Sequence, residues 1–263
     1  MPEGHTLHRL AAQHDALFAG HPVRADSPQG RFAAGAARIR RVESVEAYGK
    51  HLLYDLGPEG YLHVHLGLYG SFRDGAGPPP EPRGAVRLRL VGNGHWVELR
   101  GAAACELYDE DQRRRLLARL GPDPLRPDGD AAAFVRRVAS SRAPIAGLLM
   151  DQSVVAGVGN VFRAEVLFRA GLDPYRPGSA VGEETLRALW SDLRRLLRAG
   201  VRAGRIVTTR RADRDHRGPI TRDQSFYVYH RAGLPCRVCG TEVRTAVLAG
   251  RNLFWCPTCQ PSG

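Results

Sequence analysis

The chain has 263 residues and a formal charge of +11, with 43% hydrophobic content, enough for an ordinary core and enough length for one large or two small domains. No run approaches the roughly 18–20 apolar residues of a membrane span, and no basic segment followed by an apolar one marks a secretory signal. The excess charge points to a polyanion partner, against the plainer reading of a merely soluble basic surface.

The chain opens Met1-Pro2-Glu3-Gly4. Removal of Met1 makes Pro2 a terminal secondary amine with the Glu3 carboxylate beside it. A terminal amine titrates at about pH 8, so part of it is an uncharged nucleophile near neutrality. Amine nucleophiles form Schiff bases, and a secondary amine gives a charged iminium, a strong electron sink. The same residues also read as a plain helix lead-in. Leu7, Leu10, Ala11, Leu17 and Phe18 follow at helical spacing, and Gly20 suits the stop. The positive end of such a helix disfavours a protonated amine and attracts phosphate.

From Ile39 to Tyr108 short apolar runs alternate with glycine and proline. Residues 51–56, 61–66 and 85–91 predict strands of an antiparallel sandwich or barrel, and 75–84, with four prolines, a loop. A helix is expected near 109–120, then a linker at 121–129, Gly-Pro-Asp-Pro-Leu-Arg-Pro-Asp-Gly. Helices follow near 131–140, 144–150, 161–170 and 183–199. The polar, weakly periodic stretch 204–225 is expected to be mobile, a solvated face or one that orders over a ligand. A β-rich half before an α-rich half gives an α+β class with two domains and no internal repeat.

Four of the five cysteines, Cys236, Cys239, Cys256 and Cys259, crowd into the last 28 residues. The spacing Cys-x2-Cys-x16-Cys-x2-Cys brings four thiolates around one zinc ion, not into a disulfide framework, and favours a cytoplasmic location. A closed four-thiolate shell leaves no open position, so the metal is expected to be structural. Arg244 and Arg251 lie between the knuckles, either balancing the zinc–thiolate charge or gripping phosphate. Cys105 reads as a buried strand cysteine. His5, His8, His14, His63 and His65 fit no ligand spacing, although His5 is close in sequence to Pro2.

Lys50 is the only lysine among 38 basic residues. Lysine can give up its proton at working pH and arginine cannot, so Lys50 is a candidate for chemistry needing a titratable amine. In Leu149-Met150-Asp151-Gln152-Ser153-Val154-Val155-Ala156-Gly157-Val158-Gly159-Asn160 the glycines allow turns. Asn160 falls near a helix start, where it either binds phosphate or is an ordinary N-cap.

Taken in order, Met1-Pro-Glu-Gly, Tyr48-Gly-Lys-His-Leu, His65-Leu-Gly-Leu-Tyr-Gly, Leu120-Gly-Pro-Asp-Pro-Leu, Leu149-Met-Asp-Gln, Ala156-Gly-Val-Gly-Asn, Tyr229-His-Arg-Ala-Gly-Leu-Pro-Cys and Arg251-Asn-Leu-Phe-Trp-Cys resemble the Fpg/Nei bifunctional DNA glycosylases over essentially the whole chain. Within that family the chain is most similar to the endonuclease VIII, or Nei, branch, in particular its actinobacterial members. The resemblance implies a catalytic β-sandwich domain at 1–120, a linker at 121–130, a helical domain with a helix–two-turn–helix at 131–226 and a zinc finger at 227–261, with damaged double-stranded DNA as partner. Single-stranded or bubble DNA stays open, and a bacterial monomer without a catalytic cofactor is expected.

By the same resemblance Pro2 is the Schiff-base nucleophile, Glu3 the acid/base group, and Lys50 an aid to β-elimination. Asn160 and Arg251 hold the flanking phosphates, Arg251 also serving δ-elimination. Glu165 matches a glutamate near the terminal amine. Fpg proteins fill the gap left by the flipped base with a methionine and an Arg-x-Phe loop. Here Leu68 stands at the methionine position, residues 99–104 carry no Arg-x-Phe, and Leu68-Tyr69 looks like the Nei wedge, against a reading as plain strand-end packing. Removal of oxidised bases, pyrimidines preferred, follows. Fpg-like preference for purines, or a silent damage-binding protein, are the rivals, with a zinc-dependent hydrolase a third disfavoured by the closed ligand set.

Overall fold

The structure is a computed structural model describing residues 2–214 and 218–262. Met1 and residues 215–217, within the stretch expected to be mobile, lie outside the described residues. The chain divides into two compact units, Met1–Arg119 and Leu120–Gly263.

The first unit begins with α1 (Gly4–Phe18), then β1 (His21–Pro22), β2 (Arg24–Asp26), the short α2 (Ala33–Ala36), β3 (Arg41–Val42), β4 (Ser44–Tyr48), β5 (His51–Asp55) and β6 (Tyr61–His65). β7 (Ser71–Ala76), β8 (Val86–Gly92), β9 (His95–Arg100), β10 (Ala104–Tyr108) and α3 (Glu110–Ala118) complete it. Two antiparallel sheets, ordered β10-β6-β5-β4 and β2-β8-β9-β7, share one core. Strand alternation explains the core: Leu52, Tyr54, Leu62 and Val64 from one sheet meet Leu88, Leu90, Val97 and Leu99 from the other. α1 adds Leu7, Ala11 and Phe18 to it. The helix is fixed to the first sheet by polar contacts, Val45 N–H to Asp15 Oδ1 at 2.8 Å and the His14 Nδ1 to Tyr54 hydroxyl bond at 2.6 Å. α3 starts in a full capping box, with Asp109 and Gln112 exchanging side-chain and backbone hydrogen bonds. The expected loop at 75–84 begins two residues later, because β7 runs on through Ala76, and Arg89 pins its middle by donating to the Pro80 carbonyl at 2.6 Å.

The second unit contains α4 (Ala131–Ala139), α5 (Ile145–Leu148), α6 (Asn160–Arg169), α7 (Glu183–Ala203) and the hairpin β11 (Arg244–Leu248) and β12 (Arg251–Trp255). Phe134, Val138, Leu149, Phe162, Val166, Leu189 and Leu193 form its main core, and Leu253 of the hairpin is buried in the same cluster. The hairpin turns at Ala249 and Gly250, with φ of 51° and 68°, as a two-residue primed turn requires.

Three expectations change. The stretch 121–129 is tied down at its start: Gly121 N–H bonds the Gln152 carbonyl, the Pro122 carbonyl accepts from Ala156, and Asp123 is buried. The helix expected at 144–150 is a single turn, Ile145–Leu148, ahead of the Asp151–Gly159 loop. Within 204–225, Thr208, Thr209, Gln224 and Ser225 are buried, because Thr208 and Thr209 hydrogen-bond the carbonyls of Ser225 and Gln224. That part of the segment is packed, not a solvated face.

Candidate catalytic and nucleic-acid site

In the first unit, Pro2 immediately precedes α1 and is half-buried, and Glu3 is its N-cap residue. The Glu3 side chain makes no capping hydrogen bond, although it is fully buried. Glutamate is not among the usual N-cap residues, and Glu3 does not bond the open N–H groups of α1. His5, on the first turn, is buried, and burial lowers its pKa to about 4.

Lys50 stands in the turn between β4 and β5, after Gly49 with φ 58°. The strand register places three imidazoles on the adjacent face. His51 pairs with His65, and His63 lies two residues before His65 on β6. His51 Nδ1 and His63 Nε2 are 2.9 Å apart, and Tyr108 stacks on His63 at 4.6 Å. Burial, then the neighbouring imidazoles, Arg119 and Lys50, push His51 down to about 3, and burial pushes His63 to about 4. His65 is lowered by burial and then by the Lys50 charge. Lys50 therefore lies within electrostatic reach of neutral imidazoles. The spacing rule that found no role for His63 and His65 missed this group, because it forms across strands; the alternation His63-Val64-His65 opposite His51 is the signal that reveals it.

Leu68 and Tyr69 occupy the turn between β6 and β7, closed by Gly70 N–H to the Leu66 carbonyl at 2.9 Å. Their side chains are 43% and 86% exposed, so strand-end packing does not explain them. Cys105, in β10, is buried, and burial pushes its thiol up to about 12.

In the second unit, the loop before α6 is held by Gln152, whose side chain accepts from Gly157 N–H and donates to the Met150 and Val158 carbonyls. Gly157, at φ 88°, makes the turn that a larger residue would resist. Gly159 is the N-cap of α6, so Asn160 is not the cap but the first helical residue. Asn160 is almost fully buried, its Nδ2 donating to the Asn252 carbonyl at 2.9 Å. Arg163, one turn on and fully buried, donates to Asn160 Oδ1 and to the same Asn252 carbonyl. Arg163 and Asn252 were not evident as site residues; an arginine three residues after Asn160, on a helix whose first nine residues are all buried, is the hint. Arg251, the first residue after the hairpin turn, is exposed and has no side-chain hydrogen bond or ion pair among the described residues.

Glu165, on α6, is fully buried. Its carboxylate accepts from the backbone N–H of Tyr227, Val228 and Tyr229 at 2.8, 2.9 and 2.8 Å and from the Thr208 hydroxyl. Burial raises its pKa, while these four donors draw it back. Its oxygens thus hold the 208 and 227–229 segments of its own unit.

The Sγ atoms of Cys236, Cys239, Cys256 and Cys259 all lie within 4.8 Å of one another. A zinc tetrahedron with bonds of about 2.3 Å needs sulfurs about 3.8 Å apart, and the 3.8 Å Cys236–Cys259 and 3.4 Å Cys239–Cys256 separations meet it closely. The cluster fits one structural zinc ion. Arg244 is at the knuckle end of the hairpin, paired with Trp255 beside Cys256. Arg251 is at the other end, roughly 16 Å along the strand from Cys256 at about 3.3 Å per residue. Balancing the thiolate charge therefore suits Arg244 and not Arg251.

Three family models match in chain order: the formamidopyrimidine-DNA glycosylase N-terminal domain at residues 1–115, the formamidopyrimidine-DNA glycosylase H2TH domain at 120–212, and the zinc finger found in FPG and IleRS at 233–261. Endonuclease 8 1 of Mycobacterium tuberculosis is 50% identical over 268 residues, covering 99% of this chain and 100% of that protein. Formamidopyrimidine-DNA glycosylase of Thermus thermophilus is 37% identical over 246 residues, 86% of this chain and 85% of that one. Among solved structures, MutM (Fpg) from Thermus thermophilus superposes with TM-score 0.77 at 32% identity, covering 100% of both chains. Lactococcus lactis Fpg bound to DNA containing an AP site gives 0.79 at 21% identity, covering 99% of this chain and 100% of that one, a likeness of fold. Matched from end to end by the family's three segments, and half identical to an endonuclease 8 across its full length, the chain belongs to the Fpg/Nei family and is a base excision repair DNA glycosylase and AP lyase.

Proposed function

We propose that the chain removes oxidised pyrimidines from damaged double-stranded DNA through a covalent intermediate on Pro2 and then cuts both sides of the sugar. The observation that carries this reading is Pro2 at the head of α1, followed by a buried Glu3 that does not cap the helix. The Pro2 nitrogen attacks sugar C1′ and the base leaves with its bonding electrons. Glu3 shuttles a proton as the sugar ring opens to the iminium. That cation acidifies the C2′ proton, whose removal expels the 3′ phosphate; a second elimination expels the 5′ phosphate. Lys50 supplies a titratable amine for these proton transfers, as a base or acid arginine could not be.

Asn160 and Arg251 hold the phosphates flanking the lesion. Leu68 and Tyr69 fill the gap left by the extruded nucleotide, offsetting part of an unstacking cost of a few kcal/mol. Glu165 supports the site by holding its own unit's loops. The enzyme acts as a monomer in the bacterial cytoplasm; among the described residues no helix is long and apolar enough to cross a membrane.

Borohydride trapping on abasic duplex is the test: wild type forms a covalent complex and Pro2→Gly loses most of it. A wild type that binds DNA and traps nothing is a silent damage-binding protein. A panel of thymine glycol, dihydrouracil and 8-oxoguanine opposite cytosine tests the lesion preference. Faster excision of 8-oxoguanine favours the purine reading instead.

A further inference from the structure

The solvent face of α7 changes character along its length. Its first turn carries Glu183, paired with Arg187 at 2.7 Å, the stabilising arrangement for charges four residues apart. After Asp192 the chain has seven arginines and no acidic residue until Asp213. Arg194, Arg198 and Arg202 recur every fourth residue, on the side of the helix opposite Leu189, Leu193 and Leu196, which are buried in the core. Arg198 and Arg202 are exposed and Arg194 is half-buried. None of the three has a side-chain hydrogen bond or ion pair among the described residues. Arg195, between them, is turned to Asp192, a carboxylate that Arg169 also holds at 2.7 Å.

The needs of the fold do not account for this stripe. Like charges four residues apart destabilise a helix. The negative end of a helix favours cations only within its last turn, which holds Arg202 and neither of the others. α4 lies against the same helix, with Phe134 and Trp190 at 5.4 Å, and brings no balancing carboxylate. It has no acidic residue of its own, and its N-cap Asp130 is engaged by Ala133 N–H and Arg136. The stripe is about 12 Å long at about 1.5 Å per residue, a length over which a DNA duplex presents on the order of seven phosphate charges. A row of guanidinium groups matches a phosphate backbone and reads no base.

We propose that Arg194, Arg198 and Arg202 dock the phosphate backbone of a second DNA segment, not the one that holds the lesion, so that the enzyme passes between segments without first letting go. The stripe faces away from α6, which carries Asn160: Val166 and Arg169 of α6 meet α7 at Leu189 and Asp192. A duplex held at Asn160 reaches the far side of α7 only by bending, at a cost in free energy that a second segment does not incur. This surface is additional to the chemistry at Pro2 and leaves it unchanged.

The test follows dissociation of a short fluorescent duplex carrying a stable abasic-site analogue, by stopped flow, as unlabelled undamaged duplex is added in increasing concentration. Wild type should let go faster as the competitor rises, because the second duplex binds before the first departs. Arg198→Gln combined with Arg202→Gln exchanges residues of similar helix propensity. The double variant should lose at least fivefold of the competitor-dependent rate, and the slope of that rate against log salt should flatten by about 0.9 per arginine. Single-turnover cleavage of a short abasic duplex should be unchanged. Arg187→Gln removes an arginine already paired with Glu183 and should transfer as wild type does.

A wild-type dissociation rate that ignores the competitor, or one that responds equally in wild type and the double variant, overturns the proposal. So does a loss in Arg187→Gln as large as in Arg198→Gln alone, which makes net charge the cause. Polyglutamate that speeds dissociation as well as DNA does overturns the DNA assignment. Affinity for a single duplex that grows with flank length in wild type and not in the double variant makes the lesion's own duplex the occupant and overturns the second segment. Impaired cleavage of the short duplex by the double variant places the stripe in the lesion site and overturns its separate role.

Discussion

Arg163 donates to the Oδ1 of Asn160 and, at 3.0 Å, to the carbonyl of Asn252, so one buried guanidinium links the first turn of α6 to the hairpin that carries Arg251. The link lies within the second unit and fixes which way the Asn160 amide faces. With its oxygen accepting from Arg163, the amide nitrogen gives one N–H to the Asn252 carbonyl and has a second to offer an anion.

Arg163→Met keeps most of the buried stem and removes both donors. Abasic-duplex affinity should fall about tenfold, the scale of one charge-assisted hydrogen bond. Because both residues act through the same amide, Asn160→Ala should add little on top. A double mutant whose losses simply add, measured by fluorescence anisotropy, would refute the coupling.

Lys50→Arg keeps the charge and forfeits the titratable proton. Abasic DNA binding should stay within about twofold, while the single-turnover β-elimination rate should drop on the order of 100-fold, the low end for a lost general acid or base. Equal rates in the two proteins exclude the role.

Much of this was legible in the sequence because it is local. α1, β5, β6 and β8 follow from apolar periodicity, and the four cysteines from spacing alone. What escaped is long-range. Glu165 gives no hint in sequence that its partners are the N–H groups of residues 227–229, more than sixty positions away. The imidazole group of His51, His63 and His65 depends on strand register. The shortened α5 is the local exception: it reflects the following loop, which Gln152 organises through side-chain hydrogen bonds to Met150, Gly157 and Val158, short in sequence but outside what helix periodicity encodes.

Acid should destabilise the first unit. Burial holds His14 and His63 at about 4 and leads the lowering of His51 to about 3, against about 6.5 in an unfolded chain. Between those values the unfolded state binds more protons, so stability is fully present above about pH 6.5 and is lost as the pH falls toward 4. Each pKa unit corresponds to about 1.4 kcal/mol. In urea melts at pH 7.5 and 4.5, His14→Gln should lose less on acidification than wild type, even if it starts less stable. An identical loss in both proteins would contradict the assignment for His14.

Removing the metal should act on the second unit alone. Chelation, or Cys256→Ser, unfastens the knuckles and with them the hairpin that carries Arg251 and Asn252. Abasic-duplex binding should fall at least tenfold, while the near-ultraviolet signal of Trp96, in the first unit, persists. Undiminished binding after zinc loss, verified by metal analysis, would show that the hairpin stands without its ion.

The Asn160 amide has one further consequence. On the proposed reading Asn160 touches a phosphate, which every nucleotide shares, and such a contact is blind to which base hangs from the sugar. Phosphate contacts set register, whereas base edges carry identity. Discrimination between one lesion and another is then expected in side chains other than Asn160 and Arg163, and replacing these two should move affinity without moving preference.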